Sequence, residues 1–108
     1  MPATPEKKVK DQVVALLKKA GAYYFFPATH GYGRSGVPDI VACVDGVFLA
    51  IECKAGKGKP TALQVRELER IRIAGGVAVV VNELNLDMLP PLLERLSAKG
   101  ALAGRLLK

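Results

Sequence analysis

Residues 37–54, VPDIVACVDGVFLAIECK, form the stretch that decides the fold. Two apolar runs rich in β-branched residues, 37–44 and 47–54, lie on either side of Asp45-Gly46. An Asp-Gly pair between such runs is a strong signal of a two-residue hairpin turn, because both turn positions need a positive φ. We therefore predict two antiparallel strands joined by a tight turn.

The same turn sets which side chains face one another. It places Asp39 directly opposite Glu52, with Cβ atoms ~5 Å apart on one face of the sheet. Two carboxylates in that relation repel each other unless a cation lies between them, and oxygen ligands favour Mg²⁺ or Mn²⁺. Lys54 points to the same face as Glu52, and the backbone carbonyl of Cys53 is a further candidate ligand. The alternative is an exposed Glu52–Lys54 salt bridge, with Asp39 merely starting a strand.

The rest of the chain predicts three helices and two more strands. Thr4 is a plausible N-cap for the first helix, and Gly21 ends it. The run 77–81 is apolar on both faces, which is typical of a strand in the middle of a sheet. A helical crossover joins 47–54 to 77–81 and requires parallel pairing, so the fold class is α/β, with a mixed four-stranded sheet and helices on both sides. The predicted helices are 5–20, 61–74 and 87–99, and the two further strands are 22–26 and 77–81.

Composition limits the class of protein. A length of 108 residues with 50% hydrophobic content suits one domain over 1–108, with a core at about 5–99 and an ambiguous tail at 100–108. No run approaches the ~20 apolar residues of a membrane span, and there is no secretory signal, so we predict a cytoplasmic protein without a membrane partner. Two cysteines without metal-binding spacing predict neither zinc nor a disulfide. The net charge of +6 is compatible with a polyanionic partner.

Short sequence patterns carry a resemblance to a known family. Val37-Pro38-Asp39 followed by Ile51-Glu52-Cys53-Lys54 resembles the P-D…E-x-K signature of the PD-(D/E)xK nuclease superfamily. Gly33-Arg34-Ser35-Gly36, Gln64 and Ala74-Gly75-Gly76 are similar to its VRR-NUC branch. Such short motifs recur by chance, whereas their combination with the αβββαβ order is specific.

The resemblance implies an activity and a set of roles. It implies a restriction-endonuclease-like fold and hydrolysis of DNA phosphodiester bonds, leaving a 5′-phosphate. Asp39, Glu52 and the backbone carbonyl of Cys53 would then hold Mg²⁺ or Mn²⁺, with Lys54 catalytic. Stand-alone members of this branch are similar to homodimeric enzymes that cut four-way (Holliday) junctions, so we expect branched DNA as the substrate and a homodimer. The rival functions are a flap, nick or non-specific DNA nuclease with the same site, and a non-catalytic basic nucleic-acid-binding module.

Two positions have competing interpretations. Glu6 falls ~20° from Val13 around the first helix, and the family often has an acid here as an extra metal or water ligand. Alternatively, Glu6 stabilises the helix N-terminus. Gln64 shares a helix face with Leu68 and matches a glutamine usual in the family, which indicates a catalytic role. However, Thr61-x-x-Gln64 also fits a capping box.

Basic and aromatic side chains near the strand ends are candidate DNA contacts. Tyr32 would stack on a splayed base or simply fill its loop, and each cation taken singly also fits a solvated surface charge. His30, in the glycine-rich loop, has a catalytic role only as a minor alternative. The candidate DNA-binding residues are Arg34, Tyr32, Lys57, Lys59, Lys7, Lys8 and Lys10.

Overall fold

A computed structural model describes residues 4–28 and 34–107, with 99–107 as backbone only. Within those residues the chain forms one sheet with the strand order β1-β2-β3-β4. Helices lie on both faces of this sheet, and a short 3₁₀ turn at Leu86–Met88 precedes the last one. In chain order the elements are α1 (Pro5–Lys19), β1 (Tyr23–Phe25), β2 (Ile40–Val44), β3 (Val47–Cys53), α2 (Ala62–Ile73), β4 (Val77–Val81) and α3 (Leu89–Leu107).

The predicted hairpin is confirmed. Asp45 and Gly46 adopt φ values of 49° and 90°, as a two-residue turn requires. β2 pairs with β3 in the predicted register, ending at Ile40 opposite Ile51. β1 joins β2 antiparallel, and β4 joins β3 in parallel, so the sheet is mixed as predicted.

The two faces of the sheet are covered by different helices. On one face, α1 and α3 enclose the larger core, to which they contribute Val9, Val13 and Leu17 from α1 and Leu89, Leu93 and Leu96 from α3. On the other face, α2 packs Leu68 and Ile71 against Ala50 and Ala78 of the central and edge strands. Burial of apolar side chains on both faces holds the sheet between its helices.

The position predicted for β4 is wrong, although its bounds are those predicted. The strand lies at the edge of the sheet rather than in its middle. Its side chains are apolar on both faces because α2 covers one face there and the α1–α3 core covers the other. Side chains also cap the open edge, since Arg72 donates hydrogen bonds to the carbonyl of Ala78 and Asn85 donates one to the carbonyl of Val80.

Other bounds also differ from those predicted, most of all at the start of β2 and at the end of the last helix. β1 is shorter than 22–26, and β2 begins at Ile40 rather than at 37. Pro38 has no N–H for a ladder, and Asp39 uses its side chain to bind the backbone instead. The last helix continues to Leu107 rather than ending near 99, because no proline follows Pro91 to break it. Whether this tail frays or packs against a second subunit stays a prediction.

Candidate active site

Three carboxylates meet where β2 begins and β3 ends. Glu6, Asp39 and Glu52 each present one oxygen, and these oxygens lie within 4.8 Å of one another. The hairpin register brings Asp39 and Glu52 together, as the sequence predicts. Glu6 arrives from the first turn of α1, so the structure brings together all three predicted acids.

Local contacts fix the two acids that come from different segments. The carboxylate of Asp39 accepts a hydrogen bond from the backbone N–H of Cys53 at 2.8 Å, which ties the start of β2 to the end of β3. Glu6 lies directly after Pro5, in a helix that Thr4 caps by accepting a hydrogen bond from the N–H of Lys7 at 3.1 Å. The backbone therefore fixes the Asp39 carboxylate directly, and the capped start of α1 sets the position of Glu6.

Glu52 is a buried acid with its hydrogen-bonding capacity unused. Its side chain is 1% exposed, and among the described residues neither of its oxygens accepts a hydrogen bond of acceptable geometry. Burial and, next, the neighbouring charge of Asp39 raise the pKa of the Glu52 carboxyl from 4.5 to about 7, although Lys54 offsets part of the shift. A buried carboxylate without donors is costly unless a cation compensates it.

Lys54 lies beside this acid and is itself largely enclosed. Its Nζ is 3.2 Å from Oε2 of Glu52, and its side chain is 14% exposed. The alternative of an exposed salt bridge is therefore wrong, because both partners are shielded from water. The side chain of Cys53 points into the opposite core, and burial raises the pKa of its thiol to about 12.

The loop that precedes Asp39 rests against α2. A Cβ built on Gly36 would lie 2.6 Å from the backbone carbonyl of Leu63, and φ at Gly36 is +78°. Only glycine allows this approach without strain. The side chain of Gln64 forms the capping box, because its Oε1 accepts the N–H of Thr61 at 2.9 Å while Thr61 caps in return. The capping alternative for Gln64 is thus confirmed, and its catalytic role stays a prediction.

The candidate DNA contacts fall into three groups. Lys57 and Lys59 are exposed on the loop after β3, and Arg34 is 63% exposed at the start of the loop before Asp39. The α1 lysines have other partners: Lys7 pairs with Asp11 at 2.9 Å, and Lys10 lies 4.2 Å from the ring centre of Phe26. Lys8 is exposed on α1. Tyr32 and His30 lie outside the described residues.

Two acidic residues near the site were not among the predicted ones. Glu67 on α2 is buried and lies 3.6 Å from the guanidinium groups of both Arg34 and Arg70. Its position three residues after Gln64 places it on the inward face, so helical spacing carried a signal for it. Glu83 accepts the N–H of Gly56 at 2.6 Å and anchors the basic loop, and no local pattern indicates that contact.

Comparisons with known proteins agree on one family. The family model described as "Archaeal holliday junction resolvase (hjc)" matches residues 6–95. The protein named "Putative nuclease p44", from Acyrthosiphon pisum secondary endosymbiont phage 1, is 35% identical over 89 residues, which are 80% of this chain and 91% of that protein.

Two solved structures share the fold at 30% identity. One, titled "VRR_NUC domain", superposes with a TM-score of 0.66 over 81% of this chain and 95% of that chain. The other is Hjc from Archaeoglobus fulgidus, described as a Holliday junction resolvase from an archaeal hyperthermophile. It superposes with a TM-score of 0.54 over 70% of this chain and 66% of that chain.

Fold and comparisons together define the class of protein. The mixed sheet flanked by helices is the restriction-endonuclease-like fold of the PD-(D/E)xK nucleases, as the sequence predicts. The chain belongs to the archaeal Holliday junction resolvase (Hjc) family of DNA nucleases, since the match spans most of its length. None of the helices in residues 4–28 and 34–107 is long and apolar enough to cross a bilayer.

Proposed function

We propose that this protein is a Mg²⁺- or Mn²⁺-dependent DNA endonuclease that cuts four-way junctions as a homodimer in the cytoplasm. The observation that carries the proposal is the acid cluster of Glu6, Asp39 and Glu52, with Lys54 beside it. Buried Glu52 does not stabilise the fold by itself, because Lys54 offsets only part of the cost of its burial.

The acid cluster fits a divalent cation. The three carboxylate oxygens lie within 4.8 Å of one another, so one divalent ion could be held by all three after small side-chain movements. Buried Glu52 supplies the strongest reason for a divalent ion, because its carboxylate is ion-paired with Lys54 alone and has no hydrogen bond of acceptable geometry among the described residues. Asp39 and Glu52 would be the principal ligands, with Glu6 and the backbone carbonyl of Cys53 completing the set.

The residues of the chain divide the chemistry among them. A bound divalent ion would polarise a phosphoryl oxygen and lower the pKa of a coordinated water. The ammonium group of Lys54 orients the attacking water and balances the negative charge that develops on phosphorus. The hydrogen bond from Cys53 N–H holds the Asp39 carboxylate in its ligating direction. The expected product carries a 5′-phosphate.

DNA contacts surround this centre. Arg34, Lys57 and Lys59 lie on the loops that adjoin Asp39 and Lys54, where they would bind backbone phosphates. Lys8 and Lys10 of α1 would supply further phosphate contacts, and Lys7 would do so if its pairing with Asp11 opens. Tyr32 is proposed to stack on a splayed base.

The descriptions of related proteins support a junction preference, and the chemistry of junction resolution favours a dimer. The family model and the Archaeoglobus fulgidus structure both carry the description of a Holliday junction resolvase. Resolving a four-way junction needs two matched cuts, and a two-fold dimer places two identical sites in one particle.

The test is cleavage of end-labelled four-way junction, flap, nicked and linear duplex DNA in Mg²⁺, in Mn²⁺ and in EDTA. Paired, metal-dependent cuts confined to the junction are expected. Metal-dependent cutting of every substrate would remove the junction preference and keep the nuclease. Binding without cutting in either metal would contradict the nuclease function and support a nucleic-acid-binding module.

A further inference from the structure

Glu67 of α2 is a buried acid that does not belong to the acid cluster. It is 5% exposed, and each of its oxygens lies 3.6 Å from a guanidinium group, Oε1 from that of Arg34 and Oε2 from that of Arg70. Arg70 follows on the next turn of α2, whereas Arg34 belongs to the loop before Asp39. Glu67 therefore links the helix to the loop that carries a proposed metal ligand.

The needs of the helix do not explain why Glu67 is buried. A carboxylate taken out of water loses its hydration, and an apolar side chain in place of a buried ion pair is often neutral or stabilising. A Glu–Arg pair three residues apart also forms on the exposed side of the same helix, between Glu69 and Arg72. The contact that only a buried Glu67 makes is the one with Arg34, which comes from another segment.

This contact is one of three that fix the loop before Asp39. Gly36 approaches α2 so closely that a Cβ on it would lie 2.6 Å from the carbonyl of Leu63. Arg34 meets Glu67 one helical turn further along. At the far end of the loop, the Asp39 carboxylate accepts a hydrogen bond from the backbone of β3. The position of Arg34 relative to Asp39 is therefore set by the protein before any DNA binds.

Arg34 remains free to bind a phosphate while it contacts Glu67. Its closest approach to the carboxylate is through Nε, and its side chain is 63% exposed, so its terminal nitrogens are accessible. Two guanidinium groups share one carboxylate, which leaves the group with a net positive charge. Arg34, Glu67 and Arg70 line a cavity of about 720 Å³ together with Pro38, which directly precedes Asp39.

We propose that Glu67 is a positioning residue for DNA cleavage, which orients Arg34 to bind a phosphate of the cleaved strand beside the acid cluster. The inference rests on the proposed function, in which Arg34 contacts the DNA backbone. A guanidinium binds phosphate in a fixed planar geometry, so its orientation sets where the strand lies. Misplacing a reacting group by about 1 Å can slow a reaction about a hundredfold.

The effects of Glu67→Gln on cleavage and on binding should differ in direction. Loss of a negative charge near the DNA should leave the affinity unchanged or raise it. Loss of the positioning contact should lower the single-turnover rate in the saturated enzyme–junction complex about tenfold. Glu69→Gln is the matched control, because it removes a carboxylate that pairs with an arginine on the same helix and does not contact the loop. It should cut at the wild-type rate.

A double-mutant cycle tests whether Glu67 acts through Arg34. Arg34→Ala should slow cleavage at least as much as Glu67→Gln does. The double variant should be no slower than Arg34→Ala, because the carboxylate then has no guanidinium to orient. Single-turnover cleavage of labelled junction DNA in Mg²⁺ at saturating enzyme measures all four proteins, and circular dichroism checks their folding.

The mobility of the Arg34 guanidinium supplies a second measurement that needs no cleavage. In the wild type without DNA, ¹⁵N relaxation should show the Nε–H of Arg34 to be more restrained than that of Arg66, an exposed arginine on α2. Glu67→Gln should remove the difference. If Glu67→Gln does not fold, the wild type decides the matter, because an Arg34 as mobile as Arg66 would overturn the proposal and a restrained one would support it.

The outcomes separate this inference from the proposed function. A wild type that cuts DNA, with Glu67→Gln cutting at the same rate, would overturn the positioning role alone. So would a loss of rate in Glu67→Gln that recurs in full when Arg34 is already alanine. A wild type that cuts no DNA would overturn the proposed function, and the positioning role with it.

Discussion

Glu52 is the residue whose position most needs an explanation. It lies on β3 with 1% of its side chain exposed, beside Asp39 and within 3.2 Å of Lys54. Lysine alone does not compensate the burial, since the pKa of the Glu52 carboxyl is still raised to about 7. A metal-free protein should therefore hold this group as a neutral acid at mildly acidic pH.

That pKa predicts how stability depends on pH without metal. Below pH 4.5 both the folded and the unfolded chain hold the Glu52 proton. Between 4.5 and about 7 only the folded chain keeps it, so the free energy of unfolding falls as pH rises, by up to about 3 kcal/mol. Denaturant unfolding in EDTA between pH 4 and pH 8 measures the fall.

Glu52→Gln separates this contribution from the other titrating groups. The free energy of unfolding of the variant should therefore fall less as pH rises. At pH 8 in EDTA the variant should be more stable than the wild type. Exposed Glu94→Gln removes a carboxylate elsewhere and serves as the control. Mg²⁺ should stabilise the wild type at pH 8 and leave Glu52→Gln nearly unchanged. Equal pH profiles for wild type and Glu52→Gln would contradict the account.

At the scale of elements, the loop before Asp39 depends on its contact with α2. Gly36→Ala should lower the free energy of unfolding by more than the ~1 kcal/mol of a left-handed alanine, because its Cβ would also meet the backbone of Leu63. Gly21→Ala is the matched control, with φ of +72° and open space around it. Urea unfolding measures both, and equal losses would show that the contact with α2 carries no energy.

Gln64 offers a second test at the start of α2. Gln64→Ala removes one partner of the capping box and should cost about 1 kcal/mol, whereas Gln64→Glu keeps the cap and should cost little. Equal losses of stability in the two variants would contradict this. Cleavage by the stable Gln64→Glu variant then decides the predicted catalytic role, which a large loss of rate would support.

Local sequence signals predicted the secondary-structure elements better than they predicted which elements lie side by side. The Asp45-Gly46 turn sets the β2–β3 register by itself, so Asp39, Glu52 and Lys54 could be placed together from sequence. The edge position of β4 could not be predicted from sequence. Apolar residues on both faces of a strand indicate that helices cover both faces, and they do not indicate how many strands flank it. The contact between Glu83 and Gly56 joins residues 27 apart, and no spacing rule reports such a contact.

At the scale of the molecule, charge should govern DNA binding. The net charge of +6 predicts that affinity falls steeply with salt, since bound phosphates release counterions. Lys57→Ala and Lys59→Ala should each reduce the slope of log K against log salt by about 1, and Lys18→Ala on the last turn of α1 should not. Fluorescence anisotropy with labelled junction DNA measures the slope. Unchanged slopes in both loop variants would show that the bound DNA does not contact this loop.

The central claim is that the acid cluster and Lys54 form a metal-dependent phosphodiesterase centre. The most direct test is single-turnover cleavage of a labelled four-way junction by wild type, Lys54→Ala and Lys18→Ala, in Mg²⁺ and in EDTA, with DNA binding measured on the same samples. We expect the wild type and Lys18→Ala to cut in Mg²⁺ only, and Lys54→Ala to bind the junction normally and leave it intact. Cleavage by Lys54→Ala at the wild-type rate, or undiminished cleavage in EDTA, would contradict the account.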